Sequence, residues 1–165
     1  MSVPTEPWLR GALPGLDPVI AHLLRASEQV REDMERAIAS LDTSQLWSPP
    51  TGVTPAGFHA KHLAGSTDRL CSYLAGEQLS AEQLARLSAE SATGDSAEEL
   101  RQALSVALTR YEALLRELRP EEFDTFREVG RRRLKVTAVG LAIHIAEHAQ
   151  RHTGQAITAA QAAIR

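Results

Sequence analysis

The chain has 165 residues, of which 43% are hydrophobic and only 4% aromatic, and its formal net charge is −3. This length fits one domain, predicted to span residues 1–165, with a core built mainly from aliphatic side chains and a preference for helices. A net charge so near zero gives no electrostatic reason to expect binding to nucleic acid or to an anionic membrane.

The beginning of the chain and its single cysteine bear on where the protein works. Residues 1–8 lack the basic start and apolar run of a signal peptide, and no window has the apolar length of a membrane span. With Cys71 alone, no intrachain disulfide can form. We interpret Cys71 as a small buried residue on a helix rather than a catalytic thiol. The sequence therefore predicts a cytoplasmic protein with no membrane partner.

Four long helices are predicted, each preceded by a start signal such as an N-cap followed by proline or a capping box. These signals are Asp17-Pro18, Thr54-Pro55, Ser96 with Glu99, and Thr137. The helices are expected to cover residues 18–41, 55–74, 97–119 and 138–164. On the first helix, apolar residues recur at alternating threes and fours, which is typical of a helix that packs in a bundle.

The segments between the long helices are predicted to be shorter and less regular. Pro49, Pro50 and Gly52 break the chain after the first helix, and residues 80–90 resemble a short connecting helix. Residues 120–136 show no clean period and are predicted to form an irregular crossover.

Two features of this crossover carry expectations of their own. Phe123 and Phe126 are expected to pin it to the bundle, while Arg131–Lys135 is interpreted as a solvated loop rather than a phosphate-binding patch. The predicted fold class is all-α: a four-helix bundle with a short extra helix and an irregular crossover before the last helix. Such bundles bind metals between facing helices.

The histidines are the residues with the clearest chemical potential. They are His22, His59, His62, His144, His148 and His152. Two fall on the second long helix and three on the fourth. The inward stripe of the fourth helix is expected to contain Leu141, Ile145, His148, His152, Gln155 and Ala159. A core selected only for packing would not turn polar for two turns, and a metal ion would supply the partner that buried imidazoles need.

The spacing on the fourth helix limits which histidines can share an ion. Residues four apart stay on one face, so two imidazoles can converge. His144 and His152 lie roughly 12 Å apart along the axis, too far for both to bind the same ion. The pair is therefore His144/His148 or His148/His152. The first pair spells an inverted zinc-protease motif with Glu147 as base, but no acidic residue follows it to complete such a site.

A third ligand is expected from the second long helix. His59 and His62 are both available there, and periodicity alone does not separate them. His22 lies off the apolar stripe of the first helix and is interpreted as a surface histidine.

Several stretches of the chain resemble the DinB-like superfamily of metal-dependent proteins, and the similarity covers essentially the whole chain. They are Pro55–Ser66, His148–Gln155, and the opening Glu6–Gly11 with Pro14–Pro18. The resemblance implies a DinB/YfiT-like four-helix bundle. Carried over to this sequence, the superfamily's metal ligands fall on His62, His148 and His152. The usual ending His-Arg-Gly-Gln is replaced here by His152-Thr153-Gly154-Gln155.

The resemblance also implies a divalent cofactor, zinc or nickel, and a homodimer. Relatives include thiol-dependent isomerases and S-transferases that use mycothiol or bacillithiol. From its position one turn after His152, Gln155 is interpreted either as a hydrogen-bond partner of a ligand or bound water or as a polar residue that contacts a partner subunit. His59 is interpreted as a neighbour of the ligands or part of the pocket wall.

Three histidines leave coordination positions open, as in catalytic sites. An ion there can activate water, which gives a hydrolase, or bind a low-molecular-weight thiol as thiolate, which gives an S-transferase or isomerase acting on a small molecule. The resemblance favours thiol chemistry. The alternatives are a non-catalytic metal- or small-ligand-binding module and an interaction protein with structural histidines.

Overall fold

The computed structural model describes residues 5–49, 52 and 54–164. Its helices are α1 (Pro18–Ile38), α2 (Thr43–Trp47), α3 (Ala56–Leu74), α4 (Ala81–Ser88), α5 (Ala97–Glu117) and α6 (Ala138–Ala163). Two short strands, β1 (Phe126–Val129) and β2 (Leu134–Thr137), precede α6, and 3-10 helices cover Pro7–Leu9 and Pro120–Glu122. The prediction of a helical bundle is confirmed.

The caps of the long helices follow the sequence signals at three of four starts. The Asp17 side chain accepts from the amide of Val19, and Thr137 accepts from that of Gly140. Ser96 and Glu99 form the expected capping box of α5. At α3 the expected cap is wrong: Pro55 has an extended ψ of 150° and is itself the N-cap without a side-chain hydrogen bond, so the helix begins at Ala56.

α3 ends in the way that Gly76 favours. Gly76 has a φ of +83°, a left-handed conformation that costs glycine little. Its amide donates to the carbonyl of Tyr73 and the amide of Glu77 donates to that of Ser72, which is the Schellman arrangement.

The four long helices surround two neighbouring apolar clusters. α3 packs against α5 and α6, and α1 also packs against α5 and α6. On α6, Ile145 belongs to one cluster and Ala149 to the other, with His148 between them. Ser27 is a buried polar residue on α1, and α5 provides its partner, since Ser27 Oγ donates to Glu112 at 2.7 Å. The packing of α3 on α6 is what positions the histidines.

The crossover differs from the irregular segment that we expect from the sequence. β1 and β2 pair as an antiparallel hairpin, and Arg133 (φ 48°) and Gly130 (φ 72°) shape its turn. Strands of four residues are too short for alternation to be recognised in the sequence. Phe123 packs on the apolar cluster as expected, but Phe126 is 65% exposed, so its predicted pinning role is wrong. The basic run Arg131–Lys135 is exposed at the hairpin turn and on β2, as predicted.

Two short helices occupy the connections. α4 lies within the predicted segment, capped by Ser80 and Gln83. α2 is not predicted, although Asp42 and Gln45 form a capping box for it. Pro50, part of the predicted break, lies outside the described residues. In the ranges that the structure describes, none of the helices combines the length and the apolar character that crossing a membrane requires.

Cys71 is fully buried in one of the apolar clusters, and burial raises the pKa of its thiol to about 12. We expect iodoacetamide at pH 8 to alkylate it about a thousandfold more slowly than an exposed cysteine, because the thiolate is the reactive form. Mass spectrometry of native protein would measure the rate, with urea-unfolded protein as the control. Rapid alkylation of native protein would contradict the burial.

Candidate metal centre

α3 and α6 bring three of the histidines together. Ligand nitrogens of His62, His148 and His152 all lie within 4.8 Å of one another, and the three side chains are half-buried. The Nε2 atoms of His62 and His148 are 3.4 Å apart. The helices run antiparallel at this point, since His59 meets His152 while His62 meets His148. The three residues are thus close enough together to hold one metal ion.

Each of the three imidazoles has a partner at its Nδ1 atom. His62 Nδ1 lies 2.7 Å from Oε2 of Glu90. His148 Nδ1 lies 3.4 Å from the hydroxyl of Ser66, and His152 Nδ1 lies 3.2 Å from Nδ1 of His59. Metal-binding histidines commonly use one ring nitrogen for the ion and the other for such a partner. The arrangement therefore leaves the Nε2 atoms available as ligands.

The donors and acceptors of this arrangement are mutually consistent. A carboxylate only accepts, so His62 must carry its proton on Nδ1 when Glu90 is ionised. Ser66 donates its own proton to the carbonyl of Leu63 at 3.2 Å and can accept from His148. His59 is buried and can accept from His152 in the same way. All three ligands can therefore be neutral with an unprotonated Nε2.

The charges of the site favour neutral imidazoles. Burial, followed by the neighbouring His62, lowers the pKa of His148 and of His152 to about 4. Burial likewise lowers the pKa of His59. Burial alone would raise the pKa of Glu90, but hydrogen bonds from His62 and Arg69 outweigh it and lower that pKa. Metal ligands must be deprotonated, so the lowered pKa values of His148 and His152 favour cation binding by these two residues at neutral pH.

One aromatic ring and one ion pair border the histidines. Phe58 stacks on His62 with ring centroids 5.7 Å apart and packs edge-on against His59. Arg69 Nη2 lies 2.9 Å from Oε1 of Glu90, so this carboxylate joins Arg69 and His62. Both charged side chains are nearly buried, with exposed fractions of 11% and 12%.

A cleft of about 540 Å³ lies beside this ion pair, between α3, α4 and α5. Its lining includes the apolar residues Ala64, Leu100 and Ala103 as well as Arg69 and Glu90. Histidines are absent from its lining. Among the residues that the structure describes, converging metal ligands are found at the histidine cluster and not in the cleft. Glu90 lies between the histidine cluster and the cleft, since it contacts His62 and also lines the cleft.

The remaining residues singled out in the sequence lie away from the ligands. His22 is exposed, as predicted. His144 is exposed, with its ring centroid 5.9 Å from that of His148, and Glu147 is exposed as well. The expected inward position of Gln155 is wrong, because Gln155 is exposed and its neighbour Ala156 is buried instead.

Glu90 is the residue that the sequence analysis missed. It lies 28 positions beyond His62 and two residues after the end of α4. Glu90 is one of many glutamates in the chain and follows a partly hydrophobic connecting segment. Nothing in its local sequence indicates that it makes a buried contact. Only its proximity to α3 in the folded chain reveals its role.

Comparison with known proteins identifies the fold. A sequence model of the DinB superfamily matches residues 26–156, which is most of the chain. A crystal structure described as a conserved protein of locus from Enterococcus faecalis has 15% sequence identity and a TM-score of 0.69, covering 87% of this chain and 95% of that one. At that identity the likeness shows the fold alone. No curated protein matches the chain.

Proposed function

This chain belongs to the DinB superfamily, and we propose that it is a metal-dependent enzyme whose single divalent ion is bound by His62, His148 and His152. The observation that carries the proposal is the convergence of ligand nitrogens from three histidines within 4.8 Å of one another, with Nδ1 partners already provided by Glu90, Ser66 and His59. Histidines that only filled the core would not need to share an arrangement in which each Nδ1 atom has a partner.

The donor set suits zinc or nickel, because imidazole is a good ligand for both. When bound, such an ion supplies Lewis acidity, through which it can lower the pKa of water or hold a thiol as thiolate. Three protein ligands leave coordination positions open for a small-molecule substrate. His62, His148 and His152 would hold the ion, and Phe58 would shield one side from water.

The surroundings of the histidines favour thiol transfer over hydrolysis. Hydrolysis commonly uses a carboxylate or histidine as general base near the activated water. Among the described residues, Glu90 is the sole carboxylate in hydrogen-bond contact with the three histidines, and it is already engaged by His62 and Arg69. Of the neighbouring histidines, His59 is buried and paired with His152, and His144 is exposed. A thiolate needs no further base once it is formed.

The nucleophilic thiol must then come from outside the chain. Cys71 is the only cysteine, and it is fully buried in an apolar cluster. We therefore propose a low-molecular-weight thiol such as mycothiol or bacillithiol as co-substrate in an S-transfer or isomerisation. From the sequence we further propose one domain over residues 1–165 and a cytoplasmic location, and from the resemblance a homodimer.

The test is to load the metal-free protein with Co²⁺ and to add the thiol. We expect about one ion per chain and a new near-ultraviolet band when sulfur binds the cobalt, followed by transfer of the thiol to an electrophilic test substrate. The variant Cys71→Ser, which keeps every proposed ligand, should give the same band. A loaded protein that neither binds thiol nor turns over would instead be a non-catalytic metal-binding module.

A further inference from the structure

We infer that Glu90 is a positioning residue for the metal centre, held by Arg69, and that it fixes the ring orientation and the tautomer of His62. Gly65 leaves the space that this ion pair occupies. The inference rests on the proposed function, since it concerns how one of the three ligands is prepared for the ion.

The Glu90 carboxylate uses both of its oxygens. Oε2 lies 2.7 Å from His62 Nδ1, and Oε1 lies 2.9 Å from Arg69 Nη2. A carboxylate held at both oxygens has little freedom to turn, so it determines the orientation of the imidazole that donates to it. Because it can only accept, it requires the proton on Nδ1 and leaves the Nε2 lone pair for the ion.

Space for the pair depends on Gly65. His62, Gly65 and Arg69 are spaced by three and four residues and so share one face of α3. A Cβ atom at Gly65 would lie 2.9 Å from Nη1 of Arg69 and 2.9 Å from Oε1 of Glu90. Any side chain at this position would push the two groups away from their present contact.

The segment that carries Glu90 is also attached to the bundle at other points. Lys61 Nζ donates to the carbonyl of Ala92 and to Oδ2 of Asp95, each at 2.8 Å. The indole of Trp47 donates to the carbonyl of Asp95, also at 2.8 Å. These contacts hold the connection from α4 to α5 against α3. The carboxylate is therefore placed by the fold and not only by its ion pair.

A role limited to stability would predict different behaviour from a positioning role. An ion pair that only stabilises the fold would change the unfolding midpoint and leave the affinity of the folded site for metal unchanged. A partner that orients a ligand commonly changes metal affinity by 10- to 100-fold and alters the ligand field. The decisive measurement is thus made on folded protein with the metal itself.

The experiment compares wild type with Glu90→Gln by competition for Zn²⁺ against a chelator and by the visible spectrum of the Co²⁺ form. Glu82→Gln is the matched control: its carboxylate is on α4, is 73% exposed and pairs with Arg86 on the same helix. We expect 10- to 100-fold weaker Zn²⁺ binding and a shifted Co²⁺ spectrum for Glu90→Gln, and no change for Glu82→Gln. Arg69→Met and Gly65→Ala should likewise weaken Zn²⁺ binding and shift the Co²⁺ spectrum.

The outcomes separate this inference from the proposed function. Suppose that Glu90→Gln binds Zn²⁺ as tightly as wild type and gives an identical Co²⁺ spectrum, while His148→Ala no longer binds metal. The positioning role of Glu90 is then overturned, and the proposed metal site stands. A wild type that takes up neither Zn²⁺ nor Co²⁺ overturns both. Should Glu90→Gln fail to fold, wild-type affinity and spectrum in both Arg69→Met and Gly65→Ala would overturn the inference.

Discussion

Replacement of His148 by alanine is expected to abolish stoichiometric metal binding. His148 is close to both other members of the cluster, with its Nε2 3.4 Å from that of His62 and its ring centroid 4.5 Å from that of His152. Its loss would leave two imidazoles from different helices, and we expect affinity to fall by more than the roughly 100-fold upper value for a ligand's partner. Metal content by mass spectrometry and competition for Zn²⁺ would measure it.

The matched control for this variant is His144→Ala. His144 is on the same helix one turn earlier, but its side chain is exposed. We expect it to keep about one ion per chain. If His144→Ala loses the ion while His152→Ala keeps it, the ligand pair on α6 would be His144 and His148, and the present assignment would be wrong. Retention of the ion by His148→Ala would contradict the three-histidine site altogether.

The second large effect is expected on stability, from Leu115→Ala. Leu115 is fully buried on α5, within the cluster that also contains Leu141 and Ile145 of α6. Removal of a buried leucine side chain loses its transfer free energy and leaves a cavity, which together cost about 2–5 kcal/mol of unfolding free energy. Urea denaturation of metal-free protein would measure the difference without a contribution from bound ion.

Val106→Ala is the control for that measurement. Val106 is on the same helix but is 67% exposed, so we expect its unfolding free energy to stay within about 0.5 kcal/mol of wild type. Folded Leu115→Ala should still bind Zn²⁺. Leu63 and Ala149, which adjoin His62 and His148 in the sequence, belong to one apolar cluster, and Leu115 belongs to the other. Equal destabilisation by both variants would contradict the assigned core.

Much of the helical architecture is readable from local signals. Ser96 and Glu99 predict the start of α5 correctly, because the two residues of a capping box are only three positions apart. Thr137 marks the start of α6 through a contact of the same short range, because its side chain accepts from the amide of Gly140 three residues later. The failures are also local in origin. Pro55 fits both the cap and the first helical position, and the four-residue strands of the hairpin are too short to show a period.

The candidate metal site is likewise predicted by the sequence in part and decided by the tertiary structure in part. The sequence alone indicates a metal-binding bundle, since the two members of either candidate pair, His144/His148 or His148/His152, must share one face of the helix that contains them. Whether His59 or His62 reaches that face depends on how α3 is rotated against α6, and this rotation is decided by packing along the whole length of both helices. The structure brings His62 into the converging group and sets His59 behind His152.

Tertiary structure alone decides the environment of those ligands. Gln155 is exposed rather than inward because the buried row of α6 passes through Thr153 and Ala156 at that level. Glu90 reaches His62 across 28 residues of chain because α4 folds back on α3. Caps and helical periods arise from interactions within one or two turns, so they can be recognised in the sequence. A contact between distant segments depends on the packing of every element between them.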